Sequence, residues 1–180
     1  MSRTPELNYC PRCGHALTDK ESSGRARRFC PACKHIAYRQ LKVGAGVLLE
    51  EDGHLLLLQR SSNALAFPEA WCLPAGYCEY HEPPEGTAIR EAYEETGLEV
   101  AVSELLGVFF FNDDPRGNGL LIVYHARPVG GELRLQESEV SEARTFAPAA
   151  LPSRLAGGGH DQAITAWRTE RVNLWHEASN

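Results

Sequence analysis

"GYCEYHEPPEGTAIREAYEETGL", residues 76–98, decides how the rest of the chain is read. Two glycines bracket it, Gly76 and Gly97. Pro84 suits the first turn of a helix, because it lacks only a backbone donor that would be orphaned there. Gly97 suits the left-handed position just past a helix end. The spacing predicts a helix over about residues 84–96, with Ala88, Ile89, Ala92, Tyr93 and Thr96 as its packing face. On that helix Glu91, Glu94 and Glu95 stand at i, i+3 and i+4 and share a second face, expected to point away from the packing side. Two carboxylates roughly 6 Å apart repel by ~3 kcal/mol at an effective dielectric of about 20, and by under ~1 kcal/mol in water. On an open surface such a cluster costs little and is an ordinary solvated face. In a crevice it needs a cation, and hard carboxylate oxygens suit Mg²⁺ or Mn²⁺.

Outward from this helix, "LKVGAGVLLEEDGHLLLLQR", residues 41–60, is a hairpin signal: two apolar runs flank Glu51-Asp52-Gly53, where Asp-Gly supplies the turn. After the helix, "LEVAVSELLGVFFFN" and "GLLIVYHARPV" read as strands around residues 98–112 and 119–129, with "DDPRGNG" as the loop between them. A short strand is expected near residues 142–147. A second helix is expected at about 160–177, with Ile164, Trp167, Val172 and Trp175 buried, and "AGGGH" before it as a flexible joint. The order β-β-α-β-β-β-α predicts an α/β sandwich.

The chain has 180 residues, 43% apolar and 23% charged, which suits one soluble domain with a small appendage. No run approaches the length of a membrane helix. "MSRTPELNYC" has no apolar h-region, so the expectation is a cytoplasmic protein with reduced thiols. Four of the six cysteines form two C-x-x-C pairs, Cys10/Cys13 and Cys30/Cys33, with sixteen residues between them. Two disulfides or redox thiols are the other readings; matched knuckles in a reducing compartment favour structural Zn²⁺. Four thiolates close the tetrahedron, so His15 and His35 serve at most as spare ligands. Cys72 and Cys78 read as small packing residues. Residues 1–45 carry nine Lys/Arg against three Asp/Glu, and the remainder nine against twenty-one. A basic ribbon beside an acidic body suggests docking, phosphate contact or nucleic-acid contact. The overall charge of −6 argues against a dedicated nucleic-acid binder.

Taken as a string, Gly76, five residues, Glu82, seven residues and Arg90-Glu91-Ala92-Tyr93-Glu94-Glu95-Thr96-Gly97-Leu98 resembles the Nudix box at every fixed position. The resemblance implies a Nudix-type α/β/α sandwich over residues 41–180 behind a zinc ribbon at 1–40. It implies a pyrophosphohydrolase that uses Mg²⁺ or Mn²⁺ to cleave a diphosphate linked to a nucleoside. By position, Glu91, Glu94 and Glu95 become metal ligands, Arg90 pairs with a neighbouring glutamate, Glu82 sits behind the ligands or braces the loop, and Gly76 turns into it. The general base is Glu91 or one of Glu137, Glu139 and Glu142 in "LQESEVSEARTF"; Glu142 is included among the catalytic candidates because it precedes the strand bearing Phe146. Candidates for stacking on a substrate ring are Tyr77, Phe109 and Phe111.

Within the family, "YCPRCGH", "FCPACKHIAY" and "WCLPAGYCE" resemble the members that carry a ribbon, the NADH pyrophosphatases and the plant-type FAD/ADP-ribose pyrophosphatases. "EVAVSELLGVFFFNDD" lacks the Ser-Gln-Pro-Trp type signature of the NADH group, which favours FAD or ADP-ribose as substrate. NADH is the alternative within the family. A nucleotide-sensing module without hydrolysis, contacting nucleic acid through the ribbon, is the alternative outside it; retention of every box glutamate favours catalysis. The expected partner is a small nucleotide substrate, with no membrane association and with a homodimer left open.

Overall fold

The computed structural model describes residues 7–178, with side chains described to residue 171. The chain divides into two compact units, residues 1–41 and 42–180.

In the first unit three short strands, β1 (Thr18–Ser22), β2 (Arg25–Phe29) and β3 (Ile36–Ala37), form an antiparallel sheet in that order. Two equivalent knuckles flank β1 and β2. In each, the residue after the second cysteine is left-handed, Gly14 at φ 72° and Lys34 at φ 64°. Each donates its N–H to the carbonyl of the first cysteine at 2.9 Å, and the first cysteine's N–H returns to His15 or His35 at 2.8 Å. The two histidines therefore contribute backbone carbonyls to the knuckles. The sulfurs converge, with Cys10 Sγ 3.6 Å from Cys33 Sγ and Cys13 Sγ 3.5 Å from Cys30 Sγ. A tetrahedron with Zn–S bonds of about 2.3 Å has edges of about 3.8 Å, so the cluster is compatible with a zinc ribbon.

In the second unit the central strand is β4 (Lys42–Glu51), which runs parallel to β9 (Gly119–Gly131) from Lys42 to Leu49. Its apolar run is unbroken because both faces are covered. Ala45, Val47 and Leu49 pack with Ala88 and Ala92 of α1 (Pro84–Thr96) on one side. Leu48 packs with Ala163, Ile164 and Trp167 of α2 (His160–Ala178) on the other. The hairpin at 41–60 exists but is short: β4 pairs with β5 (His54–Arg60) only at Glu50↔Leu55 and Glu51↔His54. The rest of β5 pairs with β10 (Val140–Phe146) and the two-residue β6 (Trp71–Cys72). β4 meets β7 (Ala75–Tyr77) at Gly44–Gly46, and β9 completes its own ladder with β8 (Leu98–Phe111). The result is a mixed sheet with a helix on each face.

Two expectations are corrected here. The packing face of α1 is rotated: Thr87, Ala88, Ala92, Glu95 and Thr96 are buried, whereas Ile89 and Tyr93 are 37% and 53% exposed. A helix seated on glycine-bearing strands buries its small side chains and turns its bulky ones outward. "AGGGH" is no flexible joint: Ala156–His160 is buried, and Gly158 donates its N–H to Asp113 Oδ1 at 3.0 Å. Trp167 is fully buried, with its indole N–H on Glu50 at 2.6 Å. Val172 and Trp175 lie outside the described side chains. No helix among the described residues is long and apolar enough to cross a membrane.

Protein purified without chelator is expected to carry about one zinc per chain by elemental analysis, and Cys30→Ser to lose it, since metal binding and folding are coupled in a four-thiolate site. Metal-free protein with an intact ribbon would contradict this.

Candidate active site

β7 packs closely on β4 and against α1 at two glycines. A Cβ on Gly46 would lie 2.4 Å from Ala75 Cβ and 2.5 Å from the Pro74 carbonyl. A Cβ on Gly76 would lie 2.1 Å from the Glu91 carboxylate. Glu95, one turn on, is 5% exposed, and its Oε2 accepts the Ala75 N–H at 3.0 Å. The box glutamates thus do not all face away from the packing side. Glu95 is buried, Glu91 is half-buried and Glu94 is the exposed member.

Arg90 organises the loop and the helix together. Its Nε donates to both Glu82 oxygens at 3.0 and 3.3 Å, and its Nη2 to Glu82 at 3.0 Å. Its Nη1 donates to Glu91 at 2.7 Å and Glu94 at 2.9 Å, and its Nη2 also reaches the Tyr77 carbonyl at 3.3 Å. Thr87 donates to Glu82 at 2.7 Å. With Arg90 and Thr87 on it, the Glu82 carboxyl is held down to about 2.

These groups open onto a cavity of about 330 Å³, within the size range of small-molecule sites. Its charges fall into two neighbourhoods. One holds Glu91, Glu94 and Glu95 from α1 and Glu139 from the turn before β10. Burial pushes Glu91 up, opposed by Arg90 and reinforced by Glu94 and Glu139. Burial pushes Glu95 up to about 8, opposed by the Ala75 N–H and reinforced by Glu91 and Glu139. All four offer carboxylate oxygens, the donor type that Mg²⁺ or Mn²⁺ takes, and in this structure Arg90 neutralises Glu91 and Glu94.

The other neighbourhood holds Phe67, Tyr77, Arg116 and His160 around Gly157 and Gly158, with Arg60 felt from both ends. Arg116 is gripped by the buried carboxylate of Asp114, Nε to Oδ1 at 3.0 Å and Nη2 to Oδ2 at 2.7 Å. The Tyr77 ring carries two cations, Lys42 Nζ at 4.8 Å and Arg116 Cζ at 4.9 Å from its centre, and its hydroxyl is buried without a partner.

Of the remaining candidates, Phe111 lines the cavity but is 5% exposed and belongs to the core. Phe109 packs against that core and does not line the cavity, so it is corrected to a packing residue: β8 turns it toward Gly159. Glu142 is likewise corrected. It lies outside the cavity on β10, where it pairs with Arg144, and Glu139 is the downstream carboxylate that reaches the cavity. Sequence reasoning passed over Phe67, Arg60, Asp114, Arg116 and His160. "DDPRG" and "AGGGH" carried turn chemistry only, and the pairing of the two loops is a tertiary contact.

A sequence profile of the NUDIX domain matches residues 39–167. The chain belongs to the Nudix hydrolase family. It is 37% identical over 114 residues to the ADP-ribose pyrophosphatase of Methanocaldococcus jannaschii, covering 63% of this chain and 66% of that one. It is 32% identical over 144 residues to the NAD-capped RNA hydrolase NudC of Pseudomonas aeruginosa, covering 80% of this chain and 49% of that one. The chain thus spans between half and two thirds of the length of these relatives. The crystal structure of a NUDIX hydrolase from Nitrosomonas europaea superposes with a TM-score of 0.79 at 26% identity, over 93% of both chains. The Nudix fold is therefore the observed one.

Gly76→Ala is expected to lower kcat/KM by at least ~10², the cost of misplacing a reacting group by about 1 Å. The group it meets is the end of the Glu91 side chain, which swings aside, so the far-ultraviolet circular dichroism spectrum should be unchanged. Full activity would show that the seat of Glu91 on Gly76 is dispensable.

His160 is buried, and its Nδ1 accepts the Leu73 N–H at 3.3 Å. Burial pushes it down to about 3, with Arg60 and Arg116 adding to the effect and Asp114 opposing it. The unfolded chain takes up this proton near 6.5 and the folded chain only near 3. The unfolded state therefore binds more protons between those values, and stability falls as pH falls through that window. His160→Asn keeps an acceptor without the titration. Its stability deficit relative to the parent should shrink by about 3 kcal/mol between pH 7 and pH 4 in urea unfolding; a constant gap would refute a neutral buried imidazole.

Proposed function

We propose that the protein is a metal-dependent pyrophosphohydrolase acting on a nucleoside diphosphate derivative, ADP-ribose before FAD. The observation that carries this reading is one cavity lined by Glu91, Glu94, Glu95 and Glu139 together with arginines and aromatic rings. The 37% identity to an ADP-ribose pyrophosphatase supports the substrate. The plant-type resemblance rests on the ribbon and "LPAGY" alone, so FAD stands second.

In this reading Glu91, Glu94 and Glu95 hold Mg²⁺ or Mn²⁺. The bound cation would neutralise the diphosphate and lower the pKa of an attacking water. Arg90 keeps Glu91 and Glu94 in their rotamers, and the Ala75 N–H does the same for Glu95. Glu139 is the group that takes the proton from water. Arg60 lies where it can meet phosphate oxygens. Water adds to one phosphorus, the bridging oxygen leaves with the other phosphate, and ADP-ribose becomes AMP and ribose 5-phosphate. The four cysteines hold a structural zinc with no open position for chemistry.

A second reading is favoured by the 32% identity to NudC: cleavage of the diphosphate in an NAD-type dinucleotide. Side-by-side kcat/KM for ADP-ribose, FAD, NADH and dGTP decides between them. ADP-ribose is expected to lead, with turnover abolished by EDTA and restored by Mg²⁺ or Mn²⁺. Glu139→Gln should lose roughly 10²-fold or more in kcat, the usual worth of a general base, while Glu142→Gln stays near the parent. Turnover in excess EDTA, or a triphosphate well ahead of every diphosphate, would overturn the proposal.

A further inference from the structure

Phe67 is odd where it stands. Its φ is 50°, a left-handed conformation that a bulky residue seldom takes, and the loop around it has no glycine to absorb the turn. The conformation is held from two sides: Ala70 donates its N–H to the Phe67 carbonyl at 3.2 Å, and Arg60 Nε donates to the Ala66 carbonyl at 3.0 Å. Local preference would not select phenylalanine here, so its side chain is what the position requires. That ring lines the cavity and stays partly exposed. It lies over the Gly157–Gly158 backbone, where a Cβ on Gly157 would stand 2.7 Å from Phe67 Cζ.

Arg116 borders the same end. A point above Gly158 is 3.6 Å from the Phe67 ring and 3.9 Å from Asp114 Oδ2, the oxygen that grips Arg116 Nη2. A free guanidinium would argue for a second phosphate. This one has its charge matched by a buried carboxylate, its Nε and Nη2 donors engaged by Asp114, and the Tyr77 ring beside it. It is a flat, charge-compensated group among those that line the cavity. A flat plate and an aromatic ring over two glycines suit a planar ring and offer little to a phosphate.

We infer that Phe67, together with the Asp114-held Arg116, forms the slot that takes the nucleobase of the substrate. The inference rests on the proposed diphosphate hydrolysis, and it assigns the metal-facing and base-facing ends of the cavity.

The test is calorimetric binding of two probes, AMP with a base and ribose 5-phosphate without one, to the parent protein, Phe67→Leu and Phe67→Tyr. Phe67→Leu keeps an apolar side chain against Ala70, Cys72 and Ala156, so its Tm should hold. It should weaken AMP roughly tenfold, the scale of one stacked base, and leave ribose 5-phosphate unchanged. Phe67→Tyr should bind AMP like the parent. With ADP-ribose, Phe67→Leu should raise KM and leave kcat nearly unchanged. Unaltered AMP affinity in Phe67→Leu, equal loss for both probes, or no AMP binding by the parent overturns the slot. Failure of the parent to hydrolyse ADP-ribose overturns the proposed function and leaves the AMP comparison standing on its own.

Discussion

The rest of the site depends on the closeness of β7 to α1. Gly46 lets Pro74 and Ala75 sit on β4, and Gly76 lets the Glu91 carboxylate sit on β7. The same approach brings the Ala75 N–H to Glu95, where it partly opposes the burial that pushes this carboxyl up to about 8. Glu91 and Glu95, one turn apart, are thereby drawn out of solvent and onto a backbone edge, while Glu94 stays exposed. A methyl group at Gly46 would push β4 and β7 apart, and one at Gly76 would displace the Glu91 carboxylate from its seat.

Arg90 solves the problem that this crowding creates. One guanidinium serves Glu82, Glu91 and Glu94 at distances of 2.7 to 3.3 Å and also reaches the Tyr77 carbonyl. It ties the loop that enters the helix to the helix itself. Buried charge is tolerable only when paired and hydrogen-bonded, and here the pairing is geometric as well as electrostatic, because the planar fork fixes three side chains at once. Glu95 lies outside this network and relies on the backbone instead.

The cavity is polar in the literal sense. Carboxylates gather at one end, and aromatic rings with a neutralised arginine gather at the other. A molecule with a charged centre and a flat, weakly charged end fits that division better than a compact anion does. The acidic end comes from one continuous segment plus Glu139. The other end is assembled from the loop after β5, β7, the Asp113–Arg116 loop and the start of α2. Its parts are far apart in sequence and meet only because α2 folds back across the sheet.

That difference in assembly explains what could be read from the chain. The helix at Pro84–Thr96, the strands after it and the two cysteine knuckles followed from local rules: a proline at the first turn, a glycine past the last, alternating apolar residues, and ligands at fixed spacing. The box glutamates were legible for the same reason, since all three ride on one helix. The face that α1 buries was misread, because propensity favours large apolar residues whereas close packing on glycine strands favours Thr87, Ala88 and Ala92. "AGGGH" looked like a joint because glycine is flexible in isolation; the Asp113 side chain and the buried His160 make it rigid. Glu142 looked as good as Glu139 until pairing with β5 sent one to Arg144 and the other to the cavity. The sequence by itself determined the main elements of the second unit and the glutamate-bearing helix, because both rest on contacts within a few residues. Tertiary structure alone decided which carboxylates are buried and which loop residues face the cavity, because both depend on how closely separate segments approach.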